Sequence, residues 1–161
     1  MTATDDESEP VEETTWARVL VTGSVFWDDY QLIDAVLTKH ALPAQDKGRS
    51  ICIITGTAAG ADEIARSWAR REGIEVFAHD LNEGPYPVPM HRYNEEILAL
   101  EPDLVLAFKE RFDDDWQSED CIAGTEHMCR IAAQAGVRVL LNGYAELTIG
   151  ALRAEADAEI A

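Results

Sequence analysis

Apolar positions along this chain follow two spacings in turn. Short β-branched runs at 18–22 (RVLVT), 50–54 (SICII), 74–78 (IEVFA), 103–108 (DLVLAF) and 137–141 (VRVLL) are nearly continuous in apolar residues. Strands covered on both faces carry such runs, whereas half-exposed strands alternate. Between them, apolar residues recur three and four apart. Ile33, Val36, Leu37 and Ala41 mark one helix face, and Ala61, Ile64, Ala65 and Trp68 a second. Ile97, Leu98 and Leu100 mark a third, and Met128, Ile131, Ala132 and Ala135 a fourth, which Gly136 ends as a C-cap. Residues 145–160 are expected to form a final, more polar helix. The alternation predicts an α/β, Rossmann-like three-layer fold with a mainly parallel, doubly wound sheet of about five or more strands.

The chain has 161 residues, the size of one domain. Residues 1–15 hold Asp5, Asp6, Glu7, Glu9, Glu12 and Glu13 with no basic residue, and are expected to be a disordered acidic tail. A single domain is expected over 16–161. The net charge is -18, from 31 Asp and Glu against 13 Lys and Arg. Binding along nucleic acid depends on Lys and Arg displacing counterions, so this balance disfavours DNA and RNA coating and equally a polybasic contact with lipid. No apolar run is long enough for a membrane span, and the N-terminus lacks the basic-then-apolar order of a secretory signal. Cys52, Cys121 and Cys129 lack CxxC spacing and read as reduced thiols of a cytoplasmic protein.

In open α/β sheets, ligands bind beyond the carboxyl ends of the strands. Small and polar residues gather there: Thr22, Gly23 and Ser24 after the first strand, 55–62 (TGTAAGAD) after the second, and Ala123, Gly124, Thr125 and Glu126 after the fourth. Gly23, Gly60 and Gly124 are expected at one sheet edge. Gly56 and Gly60 remove Cβ atoms that would block a ligand's approach to the backbone, the helix start suits a phosphate, and Thr57 adds a hydroxyl. Asp62 either caps that helix or binds a ribose hydroxyl. The same loop reads equally as a tight strand-to-helix turn. It is neither GxGxxG nor a P-loop, because no Lys follows the glycines.

Residues 19–28 (VLVTGSVFWD), 52–62 (CIITGTAAGAD) with Trp68 and Ala69, Arg92 with Asn94, and 124–128 (GTEHM) occur in an order that resembles the YspA-like branch of the SLOG superfamily. Its relatives include the cytokinin-activating nucleoside-monophosphate phosphoribohydrolases and the DNA-processing protein DprA. The resemblance covers about residues 18–142. It implies a Rossmann-like fold that binds a nucleotide or nucleotide-derived small molecule as sensor, enzyme or nucleic-acid binder, some relatives being proposed sensors in phage–host conflict. It also implies pairing into a homodimer or higher homo-oligomer. Two departures stand out. Val25 occupies the position after the first Gly-Ser pair where the family often has arginine. Met128 occupies the position of the glutamate that the phosphoribohydrolases use in GTxxE. The acid nearby, Glu126, is the one catalytic candidate, but two helix positions rotate it by about 200° from Met128.

Arg92 is expected to pair with a phosphate and Asn94 to read base or ribose, the alternative being a helix start with Asn94 bonded to backbone. His91 stands beside them. His79, His91 and His127 lack metal-ligand spacing, and Asp113, Asp114 and Asp115 lack an EF-hand pattern, so neither metal nor cofactor is expected. Phe112 and Trp116 either stack on a ligand or anchor their loop, Trp27 walls the site, and Trp68 is core. No Gly-x-Ser-x-Gly elbow is present.

Overall fold

The structure is a computed structural model in which residues 16–46, 48, 50–80, 90–121 and 123–149 are described. The expected acidic tail, the proline-rich stretch 84–89 and residues 150–160 of the expected final helix lie outside the described residues.

Among the described residues the elements follow in chain order as β1 (Trp16–Gly23), α1 (Tyr30–Asp46), β2 (Ser50–Thr55), α2 (Ala61–Arg71), β3 (Glu75–Ala78), α3 (Met90–Leu98), β4 (Leu104–Phe108), α4 (Gly124–Gln134), β5 (Arg138–Leu141) and β6 (Ala145–Glu146). The sheet order is β3-β2-β1-β4-β5-β6. All pairings are parallel except β5 with β6. The chain therefore winds outward from β1 on one side and then crosses to β4 on the other, so the order reverses between β1 and β4. That gap is where a doubly wound sheet opens a crevice at its carboxyl edge.

The expected five strands stand where the apolar runs place them; for the inner strands the reason is burial on both faces, whereas β3, at the sheet edge, is largely exposed. One core joins Val19 and Val21 of β1 and Ile51 and Ile53 of β2 to Leu37 of α1 and Trp68 of α2. A second core on the opposite face joins Leu20, Ile54 and Val105 to Ile97 of α3 and Met128 of α4. Alternate residues of β1 and β2 thus serve different cores, which keeps the middle of these two runs free of charged residues.

The expected final helix over 145–160 is corrected at its start. Ala145 and Glu146 pair antiparallel with Leu141 and Leu140. The cause is the preceding Asn142–Gly143, with φ of 55° and 85°. Two consecutive left-handed residues reverse a strand into a hairpin, and Asn-Gly is the dipeptide that does so most readily. Asn142 also brackets the end of β4: its Oδ1 accepts from the Lys109 amide at 3.1 Å and its Nδ2 donates to the Lys109 carbonyl at 2.9 Å.

The first two glycine loops meet at Gly60. Its φ is 75°, and a Cβ there would collide with the Ser24 and Val25 carbonyl groups. Beside it the Ala61 amide donates to the Ser24 oxygen at 3.1 Å, while the Ser24 amide donates to the Phe108 oxygen at 2.9 Å. Gly60 therefore makes room for protein backbone, and the expectation that it makes room for a ligand is corrected. Gly60→Val combines a forbidden φ with backbone overlap and should lower stability by more than about 3 kcal/mol. Urea denaturation checks this: loss of the folded domain is expected, not a folded protein with selective loss of binding.

Candidate functional site

A cavity of about 540 Å³ opens at the carboxyl ends of β1, β2 and β4. Gly23 and Ser24, Gly56 and Thr57, Asp62, Asn94, Gly124 and Thr125 all line it, so eight of the expected ligand-binding residues come together. Depressions of similar size lie along α3 and α4 (about 570 Å³) and between α1 and α2 (about 660 Å³). Neither includes a strand residue. The strand-end cavity is the one that the fold itself generates.

The wall after β2 is a loop gripped from both sides. Arg66 Nη1 donates to the Gly56 oxygen at 2.7 Å and Nη2 to the Ala58 oxygen at 3.3 Å. Asp62 is 9% exposed. Burial pushes its carboxyl up to about 6, against the pull of the Ala58 amide, the Arg66 charge and the Gly56 amide. Its side chain makes no cap on α2, whose N-cap is Gly60. A Cβ on Gly56 would overlap the Tyr93 hydroxyl and stand 2.8 Å from Asp62 Oδ2, so this glycine admits both groups to the cavity wall. Tyr93 donates to the His79 oxygen at 2.6 Å. Burial, Asp62 and Asp80 push its phenol up to about 12. At the start of α2, one amide is already taken by Ser24 and a carboxylate occupies the first turn, so the helix end expected to hold a phosphate has little room for one.

The start of α4 differs. Its N-cap, Ala123, supplies no side-chain cap. The first amides of a helix have no partner within it, and in α4 these belong to Gly124 and the residues after it. Both residues line the cavity. Thr125 is 8% exposed. Glu126, in the same turn, is fully buried. It accepts from Lys109 Nζ at 2.8 Å through each oxygen and from the Asp113 amide at 2.9 Å. Lys109 thereby pairs the acid in the first turn of α4, which would otherwise oppose an anion at this helix end. Glu126 is absent from the cavity lining and clamps the 109–113 segment to α4. Asn94 ties α3 to the same place: Nδ2 donates to the Gly124 oxygen at 3.0 Å and to His127 Nδ1 at 3.0 Å. With Nδ1 accepting, the neutral His127 ring carries its proton on Nε2. Burial first, then the Arg130 charge, lowers its pKa.

Arg92 is exposed and does not line the cavity. Trp27 packs on Phe108 with ring centroids 5.8 Å apart and lines neighbouring depressions instead. Trp116 is buried in the second core with Phe112 against it, edge to face at 5.6 Å, so these rings anchor their loop. His79 bonds Glu96 at 2.9 Å. Ligand atoms of Asp113, Asp115 and Cys121 lie within 4.8 Å of one another on the exposed acidic loop, a convergence that sequence spacing did not show. Four cavity residues also escaped the sequence reading: Phe26, Met90, Tyr93 and Lys109. Lys109 follows the β4 run directly, and the Asp62–Arg66 spacing of four on one helix was a visible signal for the gripped loop.

Residues 17–84 match the family model described as YspA, cpYpsA-related SLOG family. The matched segment runs from β1 through β3 and contains the first two glycine loops. Arg92, Asn94 and the α4 start lie beyond it. No curated protein and no solved structure gives a significant match. Among the described residues no helix is long and apolar enough to cross a membrane.

Two outcomes follow for the charged groups. Lys109→Met leaves Glu126 buried and unpaired and should cost about 3–5 kcal/mol, more than Glu126→Gln, which frees a half-exposed lysine. Denaturant melts of the two variants and their double variant check this. Asp62 ionises near 3.8 when unfolded and near 6 when folded, so the folded state holds the extra proton between them. Its contribution is fully present below the lower value and is lost as pH rises through the upper one, a change of about 3 kcal/mol. Asp62→Asn should lack that fall when stability is followed across this window.

Proposed function

From the premise that residues 17–84 are a SLOG segment of the YspA-like branch, we propose that the protein binds a nucleotide or nucleotide-derived small molecule in the strand-end cavity. Family membership points to nucleotide-related binding or processing; the particular arrangement of the ligand is our reading. The observation that carries it is the open start of α4. Gly124 and Thr125 line the cavity at the first turn of α4, the helix dipole favours negative charge there, and the carboxylate in the same turn is paired with Lys109. The ligand's phosphate sits at Gly124–Thr125. Its ribose reaches across to Asp62, whose carboxylate accepts from hydroxyl groups.

Binding without cleavage is the favoured outcome. Release of a base needs a carboxylate or similar group placed at the glycosidic bond. Met128 stands at the phosphoribohydrolase position, and Glu126 is held by Lys109 and Asp113. Among the described residues, Asp62 is the one acid that lines the cavity, which makes it the candidate for base release.

Calorimetric titration with AMP and with adenosine tests the arrangement. Thr125→Val should weaken AMP about tenfold, because a charged acceptor loses a donor, and leave adenosine unchanged. Equal losses for both would remove the phosphate from α4. Chromatography of AMP after hours with the protein should return intact nucleotide. Catalytic release of adenine, abolished in Asp62→Asn, would make the protein a phosphoribohydrolase.

A further inference from the structure

Phe26 is 89% exposed, the most exposed of the large apolar side chains among the described residues. It does not hang from a loose loop. Its amide donates to Ser24 Oγ at 3.0 Å, and the next amide, Trp27, donates to the Ser24 oxygen at 3.2 Å. Ser24 in turn is fixed to β4 and α2 by the bonds described above. The ring is thus presented on a rigid stem, and it lines both the strand-end cavity and an adjoining depression of about 300 Å³. From a different element, Met90 also borders the cavity, 43% exposed, with its thioether 3.4 Å from where a Cβ on Gly124 would be. Apolar surface held in water at the lip of a cavity is a standing unfavourable term that a planar apolar ligand face removes. Thioethers make good partners for the edges and faces of aromatic rings.

We propose that Phe26 is the platform on which the base of the bound nucleotide stacks, with Met90 as the second apolar contact, so that the site selects ligands carrying an aromatic base. This rests on the nucleotide reading of the cavity and adds which end of the ligand lies at the β1–α1 loop. Phosphate at α4 and base at Phe26 orient the ligand across the β1–β4 crevice, with the ribose between them beside Asp62. Recognition through a ring face tolerates any base, and larger purines stack with more area than pyrimidines.

The test is calorimetric titration of the full chain with the four common nucleoside 5′-monophosphates and with ribose 5-phosphate, which lacks the base. Wild type should bind the tightest nucleotide at least about tenfold more tightly than ribose 5-phosphate. Phe26→Ala should remove about that factor from the nucleotide and leave ribose 5-phosphate unchanged; Phe26→Trp should keep the preference. Tyr30→Ala, an exposed aromatic outside the cavity, should change neither. Because Phe26 is exposed, its replacement should leave the melting temperature unaltered. Equal weakening of nucleotide and ribose 5-phosphate in Phe26→Ala, or no change in either, overturns the platform while leaving a nucleotide site. Nucleotides and ribose 5-phosphate binding wild type equally overturns it too. Failure of all five compounds to bind wild type overturns the nucleotide reading itself and the platform with it.

Discussion

The backbone of Ser24 is the junction on which the site depends. Its amide takes the carbonyl at the end of β4, and its carbonyl takes the first amide of α2 and the amide of Trp27. Three segments distant in sequence are locked by one residue's peptide groups, and the lock closes because Gly60 has no side chain where the Ser24 and Val25 carbonyls pass. Backbone bonds of this kind are indifferent to what the side chains do. The loop after β1 can therefore present Val25 and Phe26 outward without losing its position, and the loop after β2 can turn Gly56 and Thr57 toward the crevice.

Charge inside the site is arranged by the same economy of contacts. A chain with a net charge of -18 is poorly suited to attract anions over distance. Its cavity compensates locally. Lys109 neutralises Glu126, Arg66 holds carbonyl groups rather than a ligand, and the anion-attracting element left over is a helix end. Asp62 stays in the wall as a carboxylate that burial makes reluctant to ionise. A ligand that brings hydroxyl groups to Asp62 and negative charge to α4 satisfies both walls at once. This is a coherent fit to a ribose phosphate and a poor one to a polyanion, which would need several free cations.

Much of the fold could be read from the chain because strands buried on two faces leave continuous apolar runs. Leu20 and Val21, which serve opposite cores, show why those runs do not alternate. The start of the expected final helix was misread because residues 145 and 146 carry no pattern of their own, while the turn that decides their direction, Asn142–Gly143, precedes them. Most of the expected site residues converge because the glycine loops must meet wherever parallel strands end together. Gly60 and Arg92 went differently for separate reasons. Gly60's neighbours are the carbonyl groups of Ser24 and Val25, distant in sequence, a contact no local pattern encodes. Arg92 faces solvent because the next two residues on the helix, Tyr93 and Asn94, take the buried positions. Phe26 gives no signal in the chain, since an apolar residue after a glycine loop reads as ordinary packing until its exposure is known.

The central claim, that a nucleotide lies across the β1–β4 crevice with its phosphate at α4, is tested most directly by following backbone amide resonances during titration with AMP. The account predicts the largest shifts at Gly124, Thr125 and Glu126, with a second group at Ser24–Phe26 and Gly56–Ala58, all saturating together. Shifts concentrated in the depression between α1 and α2, around Tyr30 and Ser67, with the α4 start unmoved, would contradict it.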